Sequence, residues 1–211
     1  MGDTPEKRPL FYRFAQFTLR TCWRLAGGIE VRGREHVPDT GPFLLIANHQ
    51  SFMDPMFAQT VLDRPIHAMA KSTQFSVPIV GWMLRQVLGF PVRRYQVDAQ
   101  AVRTALRHLA RGRAVAIYIE GERTWDGRLQ EPRIGTARLA LRAGVPIIPC
   151  AITGTYDIWP RWDRKPKRGT ARIAFQPPIR LEHVSGAENR RLAPAAADRL
   201  MEELRRALDG V

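Results

Sequence analysis

A single α/β domain with a mixed, largely parallel sheet flanked by helices is the fold class this sequence predicts, and three observations predict it. Compact apolar runs suited to buried strands alternate with stretches of helical periodicity, the alternation that builds a sheet covered on both faces. The 211 residues suffice for one sizeable core and fall short of two large ones. Apolar residues make up 45% and charged residues 25%, with 16 Gly and 16 Pro spread along the chain, which excludes disorder and collagen-like repeats.

The elements follow in order. Leu10 to Ala26, projected at helical spacing, is an amphipathic helix: Arg13, Gln16, Arg20 and Arg24 share one face, and Phe11, Phe14, Ala15, Leu19, Cys22, Trp23 and Leu25 cover the other. Gly27-Gly28 ends it. Two readings stand open for this helix, packing on the domain's own core or lying in the headgroup layer of a bilayer; arginine beside Phe and Trp at the apolar boundary favours the second. Residues 1–28 are therefore set apart as a membrane-associating helix from a domain spanning 29–211. Ile29 to Arg34 alternates as a short strand, Pro38 to Pro42 turns, and Phe43 to Ala47 is a buried strand. Asp54-Pro55 then opens a helix, which leaves Asn48 to Met53 as a strand-to-helix loop. Ile66 to Ala70 and Phe90 to Val92 are short strands bracketing a helix at Val77 to Leu88. Asp98 to Arg111 is a helix closed by Gly112, and Ala114 to Ile119 is the clearest strand. Pro132 to Ala143 is a helix closed by Gly144, Val145 to Ile152 and Thr170 to Phe175 are strands, and the terminal helix runs from about Ala193 to Leu208.

Thirty-three Lys and Arg against 20 Asp and Glu give a formal charge of +13, so the natural partners are polyanions: nucleic acid, an anionic bilayer or phosphorylated substrates. The basic segment Arg161 to Arg168 suits lipid headgroups or a phosphorylated thioester. No nucleic-acid-binding motif accompanies it, and nucleic acid is not expected as a partner. A basic lipid- or nucleic-acid-binding protein without catalysis is the rival class. Cys22 and Cys150 lie far apart and lack metal-ligand spacing, so neither a metal site nor a disulfide is expected, and a reducing, cytoplasmic setting is. The longest lightly charged stretch, Phe75 to Val92, is broken by Pro78, Gly81, Gly89 and Pro91 and reads as buried or interfacial rather than spanning. Arg13, Arg20 and Arg24 interrupt any secretory leader.

The chemistry concentrates where the chain leaves its strands, the edge at which open α/β sheets place their sites. In the loop Asn48 to Asp54, a neutral His49 imidazole can take a proton from a hydroxyl, provided a partner fixes its tautomer and steadies the imidazolium. Asp54, five residues on, can do so; the plain alternative is a capping aspartate beside an incidental histidine. Glu120-Gly121-Glu122-Arg123 follows a second strand, with Gly121 permitting close backbone approach and Arg123 offering a fork to a phosphate. Arg93-Arg94 follows a third. The inferred site binds a phosphate monoester and deprotonates a neighbouring hydroxyl.

Asn48-His49-Gln50-Ser51-Phe52-Met53-Asp54 resembles the first signature, N-H-x-S-x-x-D, of the glycerolipid acyltransferase family that includes 1-acylglycerol-3-phosphate O-acyltransferases. Gly89 to Arg94 resembles the family's second block, with Arg93 in place of its acid. Ile119-Glu120-Gly121-Glu122-Arg123 resembles the third, Pro-Glu-Gly-Thr-Arg, with Ile119 for the proline and Glu122 for the threonine. Val145 to Ala151 resembles the fourth, apolar block, and the likeness runs from about Val31 to Ala151. It implies that His49 is the general base on the acceptor hydroxyl and Asp54 its orienting partner. It further implies that Arg94, Glu120, Gly121 and Arg123 form the phosphate-binding side, with Lys71 a weaker member of the same wall. Phe75, Trp82 and Pro146 are expected to face the acyl chain or the membrane, although ordinary core packing stays open for each. The implied reaction is acyl transfer from acyl-CoA or acyl-carrier protein, with no other cofactor. The acceptor is 1-acylglycerol-3-phosphate, giving phosphatidic acid, or another lysolipid or lipid alcohol. The implied location is peripheral or monotopic on the cytoplasmic face of an anionic membrane.

Overall fold

All seven strands read from the sequence pair into one sheet. The computed structural model, which describes residues 6–96 and 98–211, gives them as β1 (Ile29–Arg32), β2 (Phe43–Ala47), β3 (Ile66–Lys71), β4 (Gly89–Val92), β5 (Ala114–Tyr118), β6 (Ile147–Thr153) and β7 (Ala171–Phe175). Their order is β1-β7-β6-β2-β5-β3-β4. The five strands from β6 to β4 run parallel; β7 lies antiparallel to β6, and β1 follows β7 in parallel. Every residue of the central strands β2 and β5 is buried, as unbroken apolar runs covered on both faces must be.

Successive side chains alternate between the two faces. Leu44, Ile46, Phe90, Val115 and Ile117 pack under α4 (Ala99–Ala110), α5 (Ile134–Ala143) and α7 (Gly186–Asp209). Phe43, Leu45, Ala47, Ala116 and Tyr118 face the other way, against α2 (Asp54–Val61). Outside α2 lies α1 (Leu10–Ala26), and α3 (Pro78–Gln86) meets α1 through an edge contact between Phe11 and Trp82, ring centroids 5.0 Å apart. The carboxyl ends of the parallel strands therefore emerge on one edge, between two helical layers.

Three elements differ from expectation. β1 stops at Arg32 because Gly33 turns the chain with φ 67°, where a Cβ would stand 1.9 Å from the Phe175 carbonyl oxygen. A one-turn helix, α6 (Thr155–Ile158), follows β6, too short to announce itself by periodicity. The terminal helix α7 begins at Gly186 rather than Ala193, with Pro194 inside it rather than at its start.

α1 packs on the end of α2 through part of its polar face. That face is divided: Arg13 and Arg24 are exposed, whereas Gln16 and Arg20 turn toward α2. Gln16 is buried, and its amide donates to the Gln59 and Leu62 carbonyls at 2.6 and 2.9 Å; Arg20 Nε donates to the Thr60 carbonyl at 2.7 Å. Arg34 adds a bond to the Val61 carbonyl at 3.2 Å. These carbonyls form the last turn of α2, where helical backbone has no partner of its own and the dipole favours cations. Tyr12 is buried on the same side, and Trp23 stacks on Phe57 at 4.3 Å. The side turned outward carries Leu10, Phe14, Phe17 and Leu25, 82, 64, 70 and 71% exposed, together with Arg13 and Arg24, and Ile79 and Trp82 of α3 are 74 and 51% exposed. Among the described residues no helix is long and apolar enough to cross a membrane.

Candidate active site

The chain leaves β2 at Asn48, whose side chain takes the place of a strand residue against β6. Its amide donates to the Ile152 carbonyl and accepts the Ile152 N–H, both at 2.8 Å. The following loop closes around Asp54, which is completely buried. Asp54 Oδ2 accepts the Gln50 and Ser51 N–H groups and the Nδ1–H of His49, each at 2.7 Å, while Oδ1 accepts the Thr155 hydroxyl at 2.7 Å. The carboxylate thus looks back into the loop. With the Nδ1 proton directed at Asp54, Nε2 is left bare to accept a proton. The His49 ring is buried and stacks on Tyr118, centroids 4.3 Å apart. Burial holds the imidazole below its ordinary value; Asp54 opposes this, and the Arg94 and Arg123 charges add to the depression. A neutral His49 near pH 7 is the result.

Beyond β5 the chain turns at Gly121, φ 70°, where a Cβ would stand 2.8 Å from Arg133 Cγ. The preceding carboxylate does not face a ligand. Glu120 is buried, with Oε1 accepting the His49 N–H at 2.6 Å and Oε2 the Gln130 N–H at 2.9 Å. Together with the Thr124 N–H bonded to the His49 carbonyl at 2.7 Å, this locks the loops after β2 and β5 to each other. Burial pushes the Glu120 carboxyl up to about 7 in spite of both amide donors.

Arg94 and Arg123 are half-buried, and among the described residues neither guanidinium has an ion-pair or hydrogen-bond partner; Arg94 Nε is a buried donor left unmatched. Burial above all lowers the affinity of both for their protons; neighbouring arginines add to it, while Tyr95 and Glu122 oppose it at Arg94 and Asp54 opposes it at Arg123. Arg161 donates to the Arg123 carbonyl at 3.0 Å and lies over the Trp125 ring at 3.5 Å. Half-buried cations without an ion-pair partner among the described residues, beside a neutral imidazole, are suited to a dianionic ligand.

Other expected residues fall elsewhere. Lys71 is exposed at the carboxyl end of β3 and takes no part in these contacts. Phe75, half-buried under the Arg85 guanidinium at 5.5 Å, and Trp82, exposed beside Phe11, lie on the outer surface around α3. Pro146 stands at the amino end of β6, its carbonyl accepting the Leu44 N–H at 2.9 Å. At the rise of a strand that is about 20 Å from the sheet edge that carries His49. The apolar block Val145–Ala151 is mostly core, so no acyl channel runs along it. The two charges that depart from the family pattern do not pair with each other: Arg93 Nε lies 3.5 Å from Asp98, whereas Glu122 meets Arg133 at 3.1 Å and Tyr95 Oη at 3.0 Å.

Thr155 and Tyr118 are additions. Applying the strand-end rule to β6, as to β2 and β5, points to Thr155, whereas the stacking role of Tyr118 has no sequence signal. A cleft of about 770 Å³ between α4 and α5 also adjoins the site, reaching Arg94, Tyr118 and Gly121.

Known proteins resemble this chain in sequence and fold. A 1-acyl-sn-glycerol-3-phosphate acyltransferase of Chlamydomonas reinhardtii is 30% identical over 160 residues, 71% of this chain and 47% of the relative. The enzyme of that name from Bacillus subtilis is 27% identical over 144 residues, 68% of this chain and 71% of the relative. The chain spans about half the length of several curated relatives it matches. The crystal structure of the 1-acyl-sn-glycerophosphate (LPA) acyltransferase PlsC from Thermotoga maritima matches with a TM-score of 0.73 at 25% identity, over 92% of this chain and 79% of that one. Residues 28–153 match the family model described as Acyltransferase, and on that match, which takes in the His49 and Glu120 loops together, the chain belongs to the acyltransferase family.

Proposed function

We propose that the protein transfers an acyl group from a thioester donor, acyl-CoA or acyl-carrier protein, to the free hydroxyl of a lysophospholipid, with 1-acylglycerol-3-phosphate as acceptor and phosphatidic acid as product. One observation carries the reading: a neutral imidazole, oriented by Asp54, lies in the field of the Arg94 and Arg123 guanidiniums, neither of which has an ion-pair partner among the described residues. The names of the relatives support the choice of acceptor.

In this reaction the acceptor's phosphate seats against Arg94 and Arg123, which presents the hydroxyl to His49 Nε2. Its charge offsets the two cations that weaken the imidazole, so the base strengthens as the acceptor binds. Nε2 takes the hydroxyl proton while the oxygen attacks the thioester carbonyl, and Asp54 steadies the imidazolium. The tetrahedral oxyanion collapses, the C–S bond breaks, and the departing thiolate recovers the proton from Nε2. Ester and free thiol result without an acyl-enzyme and without a further cofactor. Glu120 and Gly121 act by holding the loops, not by touching phosphate.

The acceptor reaches the site from a bilayer. The outward face of α1, with Arg13 and Arg24 exposed beside Phe14 and Phe17, and the exposed side chains of α3 suit a protein lying in one leaflet, peripheral or monotopic. Soluble thioester donors place it on the cytoplasmic face, where anionic lipid attracts its positive charge. Purified protein incubated with 1-acylglycerol-3-phosphate in acidic vesicles and each labelled donor is expected to yield phosphatidic acid by mass spectrometry. His49→Ala is expected to slow turnover by about 10² to 10⁴-fold with the fold intact. Absence of product with every lysolipid acceptor, or a His49→Ala variant at near-normal rate, would refute the reading.

A further inference from the structure

Glu122 and Arg161 take no part in the proposed reaction, yet they meet beside the residues that do. Glu122 Oε1 lies 3.1 Å from Arg133 Nη2, while Oε2 accepts the Tyr95 hydroxyl at 3.0 Å and lies 3.7 Å from Arg161 Nη1. The same Nη1 of Arg161 donates to the Arg123 carbonyl at 3.0 Å. Arg161 is itself fixed by stacking. Its guanidinium stands 3.5 Å from the Trp125 ring centroid and 5.5 Å from that of Trp162, and the two indoles are 5.1 Å apart. Arg164, Lys165 and Lys167 of the same basic segment are exposed, whereas Arg161 is drawn in against the loop after β5.

These contacts reach the chain neighbours of both arginines proposed to face the phosphate. Arg123 directly follows Glu122, and its carbonyl is held by Arg161. Tyr95 directly follows Arg94 and takes φ 65°, a left-handed conformation that a bulky side chain adopts only when its surroundings hold it there. Glu122 supplies that hold through the tyrosine hydroxyl, and the Arg133 guanidinium, 5.5 Å from the Tyr95 ring centroid, adds to it. Four stretches of chain thus converge on one carboxylate: the turns after β4 and β5, the residue that precedes α5, and the segment after α6. Threonine, which the resembled third block carries at this position, has neither the charge nor the reach to bridge two guanidiniums and a phenol. By engaging Arg133 and Arg161, Glu122 also offsets the repulsion among arginines crowded at this edge, and it leaves Arg94 and Arg123 without an ion-pair partner among the described residues.

We propose that Glu122 and Arg161 are positioning residues of the acceptor site, an ion-pair hub that sets Arg94 and Arg123 at the separation a phosphate monoester needs. This role rests on the proposed acyl transfer and adds to it a residue, Arg161, beyond the span of the family match. Glu122→Gln keeps the shape of the side chain and an oxygen for the Tyr95 hydroxyl, and removes the charge. The expected result is a rise of about fivefold or more in the acceptor KM, with kcat and the donor KM changed less than about twofold, because the arginines contact the acceptor and not the breaking bond. Arg161→Gln should do the same. The double variant Glu122→Gln/Arg161→Gln should exceed the worse single variant by less than about twofold, since each residue acts through the other. A fall in kcat with an unaltered acceptor KM, as loss of folded protein gives, would overturn the proposal. So would fully additive effects, or a lower KM in Glu122→Gln, the result if the carboxylate merely repels the phosphate. Calorimetric titration with a short-chain 1-acylglycerol-3-phosphate separates this failure from failure of the proposed reaction. Binding about fivefold weaker in both single variants than in the parent would uphold the hub even if no acyl transfer were detected. Transfer by the parent with equal binding by parent and variants would dismiss the hub and leave the reaction standing, and neither transfer nor binding by the parent would dismiss both.

Discussion

At the residue scale the site depends on how many donors converge on one buried carboxylate. Asp54 accepts four, two from its own loop, one from His49 and one from Thr155 on the neighbouring strand end. Thr155→Val keeps the shape of the side chain and removes the hydroxyl, leaving Oδ1 unmatched in a dry site. A stability loss of about 1 to 3 kcal/mol is expected by denaturant titration, with a lower kcat and an unaltered acceptor KM. A variant as stable and as active as the parent would show that Thr155 supports nothing. His49 and Asp54 are legible in the sequence because both lie in one seven-residue loop after an evident strand. Thr155 belongs to a different strand end, and Tyr118 reads only as an apolar member of its own strand until the fold lays its ring under the imidazole.

At the element scale the position of the catalytic loop depends on the register between β2 and β6. Asn48 extends that pairing one residue beyond Ala47 by mimicking backbone, with both of its polar groups bonded to Ile152. Asn48→Ala would leave a buried N–H and a buried carbonyl without partners, at a cost of about 2 to 5 kcal/mol. A fall in melting temperature of several degrees is expected, and one within a degree of the parent would mean that the loop is anchored otherwise. The strands were readable because apolar runs of four to seven residues between turns have few other uses. The direction in which α1 faces was not, because the carbonyls that draw Gln16 and Arg20 inward belong to the end of α2. An amphipathic projection weighs a helix against water alone and cannot see such partners. The cleft was hidden for a related reason: its floor and rim come from strands and helices that meet only when α4 and α5 pack side by side.

At the scale of the whole molecule, two surfaces of opposite character lie on opposite sides of the sheet, an apolar one around α1 and α3 and an arginine-rimmed cleft under α4 and α5. The first predicts that Phe14→Asp/Phe17→Asp, on side chains that touch no core, lowers binding to acidic vesicles by about tenfold or more in flotation while leaving the melting temperature within about two degrees. Undiminished flotation would place the anchor elsewhere. The central claim is that His49 is a neutral base weakened by the arginines proposed to hold the acceptor. The most direct test is the pH dependence of kcat/KM, which reports the free enzyme. The acid limb of the parent should lie below about pH 6.5, since burial and two cations disfavour the imidazolium. In Arg123→Ala the limb should move to higher pH, because a charge opposing protonation is gone. A limb that stays in place or moves down in that variant, or a parent profile with no acid limb at all, would contradict the account.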